Sequence, residues 1–169
     1  MQISIRPFIE EDADFLSAIY NGFLGKATLD TTPRGPDFFI EMMHKLEDRE
    51  TMFIAEHEGM IAGYGILKKY SWKMGYYHTG EISIFLSLSY TGQGTGQQMM
   101  RQLIDQAKAW GYRHLVSRIM ANNKGSIAFH EKLGYQLVGI QQRIGFAHGE
   151  WQDVAIMQLL MDGPDVSLG

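Results

Sequence analysis

A chain of 169 residues fits one domain with a single substantial core, and a net charge of −4 gives no electrostatic support to a nucleic-acid or membrane-surface role. There is no cysteine, which removes disulfides, thiolate metal sites and a cysteine nucleophile, and suits a reducing cytoplasm. The opening MQISIR already alternates like a strand, so no signal peptide is expected, and no apolar run is long enough for a bilayer.

Ile3 and Ile5 predict a short first strand. EEDADFLSAIYNGFLG follows, with acidic residues at its start, Phe15, Leu16, Ile19 and Phe23 at helical spacing, and Gly25 as the expected stop. KATLDTTPRG is turn-rich and reads as a surface loop, and Pro36 fits the first turn of a second helix, PDFFIEMMHKLEDR. TMFIAEHEGMIAGYGILKKY predicts two strands joined at Glu58-Gly59. A further strand covers about 78–88, and a helix runs from about 94 to 110 with Met100, Leu103, Ile104 and Ala107 as its apolar stripe. RHLVSRIM predicts a strand and NKGSIAFHEKLG a short helix ending at Gly134. Two closing strands, YQLVGIQQRIGF and WQDVAIMQLL, flank the turn Ala147-His148-Gly149. Hairpins beside strand–helix–strand crossovers imply an α/β (α+β) fold, a mixed sheet flanked by helices, in one domain over 1–169.

Between a strand and a helix lies YTGQGTGQQMM, with three glycines in five positions. A P-loop starting at Gly92 needs its second glycine five residues later, where Gln97 stands, and then a lysine, and none is near. A dinucleotide fingerprint needs a third glycine where Gln97 lies, and a run of βαβ units that this chain lacks. Small residues feeding a helix N-terminus point backbone N–H groups at one spot, which suffices for a pyrophosphate without a basic side chain. The plainer alternative is a tight turn with no ligand. Histidines 44, 57, 78, 114, 130 and 148 are scattered without metal-binding spacing, and no G-x-S-x-G elbow occurs.

The longer segment HTGEISIFLSLSYTGQGTGQQMM resembles the signature of the GNAT superfamily of acetyl-CoA-dependent N-acetyltransferases, in particular the phosphinothricin N-acetyltransferase-like branch. NNKGSIAFHEKLGY, GEWQDVAIMQLL and AIYN resemble further segments of that branch in the same order. The resemblance implies a mostly antiparallel sheet splayed into a cofactor wedge, with acetyl-CoA as co-substrate and no metal. It implies that the backbone of Ile84, Phe85 and Leu86 pairs with the pantetheine arm. Gly92, Gln93, Gly94, Thr95, Gly96 and Gln97 would wrap the pyrophosphate, and Asn123 would hold the cofactor from the other side. Thr91 stands where the family usually has arginine or glutamine.

Amine acetylation needs a base for the acceptor's ammonium and favours an acid for the departing sulfur. Glu81 interrupts an apolar strand, where partial burial would raise a carboxylate's pKa, and it matches the glutamate of the family's H-T-x-E segment. It is the expected base. His130, seven residues after Asn123, is the expected acid. A solvent-facing glutamate and an idle helix-surface histidine are the bland alternatives.

Tyr70, Ser71, Trp72 and His78 fall where the branch binds its acceptor, but no arginine stands with them. Lys68, Lys69 or Lys73 would receive a carboxylate instead, or form a solvated face. Glu150 and Leu29 also depart from the branch. The resemblance implies a small amino acid or analogue as acceptor and a homodimer joined through C-terminal strands. A peptide or protein N-acetyltransferase and a non-catalytic coenzyme A sensor are the competing readings.

Overall fold

In the computed structural model, which describes residues 3–162, the chain begins with β1 (Ser4–Pro7), α1 (Ala13–Asn21) and α2 (Pro36–His44). Strands β2 (Thr51–His57), β3 (Met60–Lys69) and β4 (Thr79–Leu86) come next, followed by α3 (Thr95–Ala109). The remainder is β5 (His114–Met120), α4 (Lys124–Lys132), β6 (Gln136–Ala147) and β7 (Glu150–Leu160). This is the order of elements expected from the sequence.

The strands form one seven-stranded sheet in the order β1-β2-β3-β4-β5-β7-β6. Every neighbouring pair is antiparallel except β4 and β5, which α3 connects by a crossover. Both hairpin turns have two left-handed residues, Glu58-Gly59 and His148-Gly149, the geometry whose twist matches that of the flanking strands.

Each face of the sheet has its own core. On one, Met99, Met100, Leu103 and Ala107 of α3 pack on Leu67, Ile82, Leu115 and Met157. The opposite face of α3 carries exposed Gln98, Arg101, Gln102, Asp105 and Lys108, so the amphipathic pattern alone orients the helix. On the other face, Leu16 and Phe39 from α1 and α2 cover Ile54, Tyr64 and Ile66. Among the described residues no helix is long and apolar enough to cross a membrane.

Two boundaries differ from expectation. Helix α1 ends at Asn21, with Gly22 rather than Gly25 as its cap, because the Asn21 side chain turns to the following loop. Its Oδ1 accepts the Arg34 N–H (2.8 Å) and its Nδ2 donates to the Arg34 carbonyl (3.0 Å). Helix α2 stops at His44 although the periodic pattern runs on to Arg49. Arg49 adopts φ 70°, and its guanidinium lies between the rings of Tyr77 (3.7 Å) and Tyr112 (4.5 Å) while bonding the Tyr77 and Trp110 carbonyls. Tertiary contacts override the local helical preference there.

Loop 22–35 leans on the β6–β7 hairpin. The His148 ring lies against Gly25, so close that a Cβ there would overlap it, and a Cβ on Gly145 would fall 2.7 Å from Leu29. The "surface loop" is therefore braced at both ends.

Candidate active site

Strands β4 and β5 pair over only three positions, Thr79/His114, Gly80/Leu115 and Glu81/Val116. Where they part, Ser117 Oγ donates to the Ile82 carbonyl (3.2 Å). The phase of the β3–β4 ladder is fixed by Tyr70 N–H on the Thr79 carbonyl (3.1 Å) and Ser87 N–H on the Ala62 carbonyl (2.9 Å). Antiparallel alternation then directs the backbone groups of Glu81, Ser83 and Phe85 to β3, and those of Ile82, Ile84 and Leu86 into the gap toward β5. Ile84 and Leu86 are thus placed as the resemblance implied. Phe85 is not: its backbone is committed to β3, and its ring stacks on Tyr64 (5.2 Å between centroids).

A cleft of about 720 Å³ fills the gap. Its walls include Ile84, Phe85, Leu86, Thr91, Gly92, Gly94, Gly96 and Gln97 on one side, and Asn123, Ser126, Phe129 and His130 on the other. The glycine loop is ordered by its own bonds: Thr91 Oγ1 donates to the Leu88 carbonyl (2.8 Å) and Gln93 Nε2 to the Ser89 carbonyl (2.7 Å). Gly92 and Gly94 have φ 74° and 85°, which side chains rarely tolerate, and a Cβ on either would meet no atom within 4 Å. Open space therefore lies over the start of α3.

Gly94 caps that helix, whose first carbonyl bond is Gln98 N–H to Gly94 O (3.1 Å). The N–H groups of Thr95, Gly96 and Gln97 precede the first intrahelical partner, and the first turn has no acidic side chain. Buried Thr95 Oγ1 has no hydrogen-bond partner among the described residues. Free backbone donors, a positive helix end and open space fit a pyrophosphate. Gln93 and Thr95 do not line the cleft: one side chain turns back to Ser89 and the other is buried behind the loop. Only their backbone is left to serve the expected role. Asn123 Oδ1 caps α4 by accepting the Ser126 N–H (3.1 Å), leaving its amide nitrogen for a ligand.

Glu81 is the last residue of β4 to pair with β5, at the apex of the wedge. Its side chain is 20% exposed, and both carboxylate oxygens are taken by Arg118: Nε to Oε1 at 2.8 Å and the second guanidinium nitrogen to Oε2 at 2.5 Å. The hydrogen bonds that Arg118 donates to Glu81 push the Arg118 pKa up. The surroundings of Glu81 are therefore a charge partner, where the sequence had led us to expect apolar burial.

His130 lines the cleft, and its Nδ1 lies 2.8 Å from the Ser126 carbonyl. That bond assigns the proton to Nδ1 and leaves Nε2 as an acceptor. Burial lowers the His130 pKa, and the Ser126 carbonyl only partly opposes it. With its Nδ1 proton engaged, any proton the imidazole gave to the cleft would first have to be taken up at Nε2.

A second cavity of about 340 Å³ adjoins the cleft and is lined by Met42, Ile66, Lys68, Lys69, Tyr70, Glu81, Ser83 and Arg118. Ser83 and Arg118 belong to both. Of the four expected acceptor residues, only Tyr70 is here. Ser71 Oγ accepts the Lys73 N–H (3.2 Å), Trp72 is 86% exposed, and His78 Nδ1 bonds the Gly111 carbonyl (2.8 Å) at the closed end of the sheet. Arg118 was missed in the sequence, although it is the one charged residue inside the otherwise apolar RHLVSRIM run beyond its opening Arg-His.

Comparison with known proteins agrees with this geometry. The profile of the Acetyltransferase (GNAT) family matches residues 16–135. The chain is 29% identical to a phosphinothricin N-acetyltransferase of Streptomyces viridochromogenes, covering 92% of this chain and 86% of that protein. It is 27% identical to an L-methionine sulfoximine/L-methionine sulfone acetyltransferase of Salmonella typhimurium, covering 95% of each. A GNAT superfamily phosphinothricin acetyltransferase from Sinorhizobium meliloti, solved in complex with AcCoA, superposes with TM-score 0.91 at 27% identity over 100% of this chain and 95% of that one. The chain belongs to the GNAT family of acetyltransferases.

Proposed function

We propose that the protein moves an acetyl group from acetyl-CoA to the primary amine of a small amino acid or amino-acid analogue. The observation that carries this reading is the meeting of two cavities at Ser83 and Arg118, the ion-pair partner of Glu81: a backbone-lined wedge on one side and a small charged cavity that holds Glu81 on the other. Similarity to enzymes named for phosphinothricin and methionine sulfoximine supports the acceptor class.

Bound acetyl-CoA supplies an activated acetyl thioester. The backbone groups of Ile84 and Leu86 and the start of α3 bind and orient it. Glu81 takes the first proton from the acceptor's ammonium, which frees the nitrogen lone pair, and it must part from Arg118 to do so. Over the whole reaction the nitrogen gives up two protons, of which one ends on the coenzyme A sulfur and one is released. His130, neutral with Nε2 free to accept, orients a donor in the cleft such as water or the product thiol. The cytoplasm, where acetyl-CoA is available, is the proposed setting.

Association into a homodimer is supported by the sheet edge. Strand β6 is the last in the sheet and exposes Val138, Ile140, Ile144 and Phe146, the last packed edge-to-face on Trp151. An exposed apolar edge of this kind invites pairing. Light scattering should give twice the 19.2 kDa chain mass, and Trp151→Glu should shift it toward one chain. A wild-type monomer across a wide concentration range would oppose the dimer.

The function is tested by titration calorimetry with acetyl-CoA and by thiol release with a panel of free amino acids, methionine sulfoximine, peptides and polyamines. Binding followed by turnover of free amino acids is expected. Turnover of peptides alone would favour a peptide acetyltransferase, binding without any turnover a sensor, and no binding at millimolar cofactor would remove the reading.

A further inference from the structure

We propose that Arg118 receives the acceptor's carboxylate, and that the Arg118–Glu81 pair is the form in which the site awaits a zwitterionic α-amino acid. This rests on the acetyltransferase reading and names the group that selects its substrate.

The first argument is shape. Arg118 presents a planar two-pronged donor set to a carboxylate, with bonds of 2.8 and 2.5 Å, and any other carboxylate fits the same fork. Because the two charged groups touch, a molecule that replaces each by its opposite must carry its own charges just as close together. An α-amino acid does, since its ammonium and carboxylate share one carbon. Small rotations of the two side chains would seat the carboxylate on Arg118 and the ammonium on Glu81, where the base is wanted.

The second argument is charge. Lys69 is engaged by Glu47 (2.7 Å), whereas Lys68, opposite Glu81 across the β3–β4 ladder, has no ion-pair partner among the described residues. With Arg118 matched to Glu81, the second cavity holds one unmatched positive charge, which favours an anionic group. Exchange with a zwitterion leaves both Glu81 and Arg118 partnered, with Lys68 still at hand for the carboxylate. An amine without a carboxylate draws Glu81 away and leaves the guanidinium to solvent alone, and a polyamine adds a second cation beside Arg118 and Lys68.

The third argument is place. Arg118 lies two residues beyond Val116, the partner of Glu81, on the same face of the sheet, and it borders both cavities. It can hold an acceptor at the boundary the acetyl group must cross. The segment 70–78 directly before β4 has no arginine to do so, and Lys73 lines neither cavity.

The test compares each proteinogenic amino acid and L-methionine sulfone with the amide of the same compound, in the wild type, Arg118→Lys and Arg118→Gln. Wild-type kcat/KM should favour the acid over its amide. Arg118→Gln should lower that ratio by roughly tenfold, mainly through the KM of the acid, as expected when a half-exposed, charge-assisted pair loses one partner. Arg118→Lys should restore part of the ratio, and it keeps the test available if the glutamine variant does not fold. A purely structural role would depress acid and amide alike and leave the ratio fixed; that result, or a wild type preferring amides or polyamines, would overturn the assignment. Acetyl-CoA binding without acetylation of any amine would instead overturn the acetyltransferase reading, and the assignment with it.

Discussion

The two cavities that meet at Ser83 and Arg118 are made of different material. The cofactor cleft is built from main chain: the gap-facing groups of Ile84 and Leu86, the left-handed Gly92 and Gly94, and the first turn of α3. The acceptor cavity is built from the ends of side chains, namely Lys68, Tyr70, Glu81 and Arg118. A site of main chain survives side-chain exchange, so Thr91 replaces a longer residue and holds its loop through Leu88 instead. A site of side-chain ends changes identity with each substitution. The first therefore reports the family and the second reports the individual.

That contrast predicts where damage falls. Glu81→Gln should lower turnover by ~10²–10⁴-fold, the range for a positioned general base, while acetyl-CoA affinity stays within about twofold. Equal rates in the two proteins would take the carboxylate out of the reaction. Gly94→Ala should act in the reverse sense. A left-handed alanine costs roughly 1–2 kcal/mol, so the acetyl-CoA dissociation constant should rise by about tenfold with the acceptor KM little changed. Calorimetry showing native affinity would mean that the loop's backbone does not hold the cofactor.

The smallest effect concerns stability. Burial holds the His130 pKa below its ordinary 6.5, so between those values the unfolded chain binds more protons than the folded one. The resulting stability is complete above about pH 6.5 and is lost as pH falls through the folded value, each unit of depression being worth about 1.4 kcal/mol. Urea unfolding at several pH values should show this slope in the wild type and a flatter one in His130→Gln. The Arg6–Asp12 pair does not interfere, because the depressed Asp12 titrates below 3.8. Parallel slopes would show that His130 is protonated equally in both states.

The same contrast explains what could be read without a structure. All seven strands and four helices were visible in periodicity and turn residues, because those signals are local. The ends of α1 and α2 were not, since Asn21 and Arg49 act on residues distant in the chain. The glycine loop was legible because a main-chain site leaves its mark in residues that lack side chains. Arg118 was overlooked because its meaning depends on β5 lying beside β4, a parallel pairing of three residues with a long crossover between. His130 was found in the right wall, yet its proton was settled by a carbonyl one turn back.

The brace between loop 22–35 and the last hairpin bears on how this enzyme could be re-tailored. Phe23 and Ala27 line the cleft, while the loop that carries them is seated on Gly145 and His148, over a hundred positions away. A graft of the loop alone from a relative would bring side chains cut for another hairpin. A bulkier residue at 25 or 145 would prise the two apart and widen the mouth. The shape of this wall of the cleft is a trait of two segments exchanged as a set, and a library that varies only one of them will mostly sample ill-fitting halves.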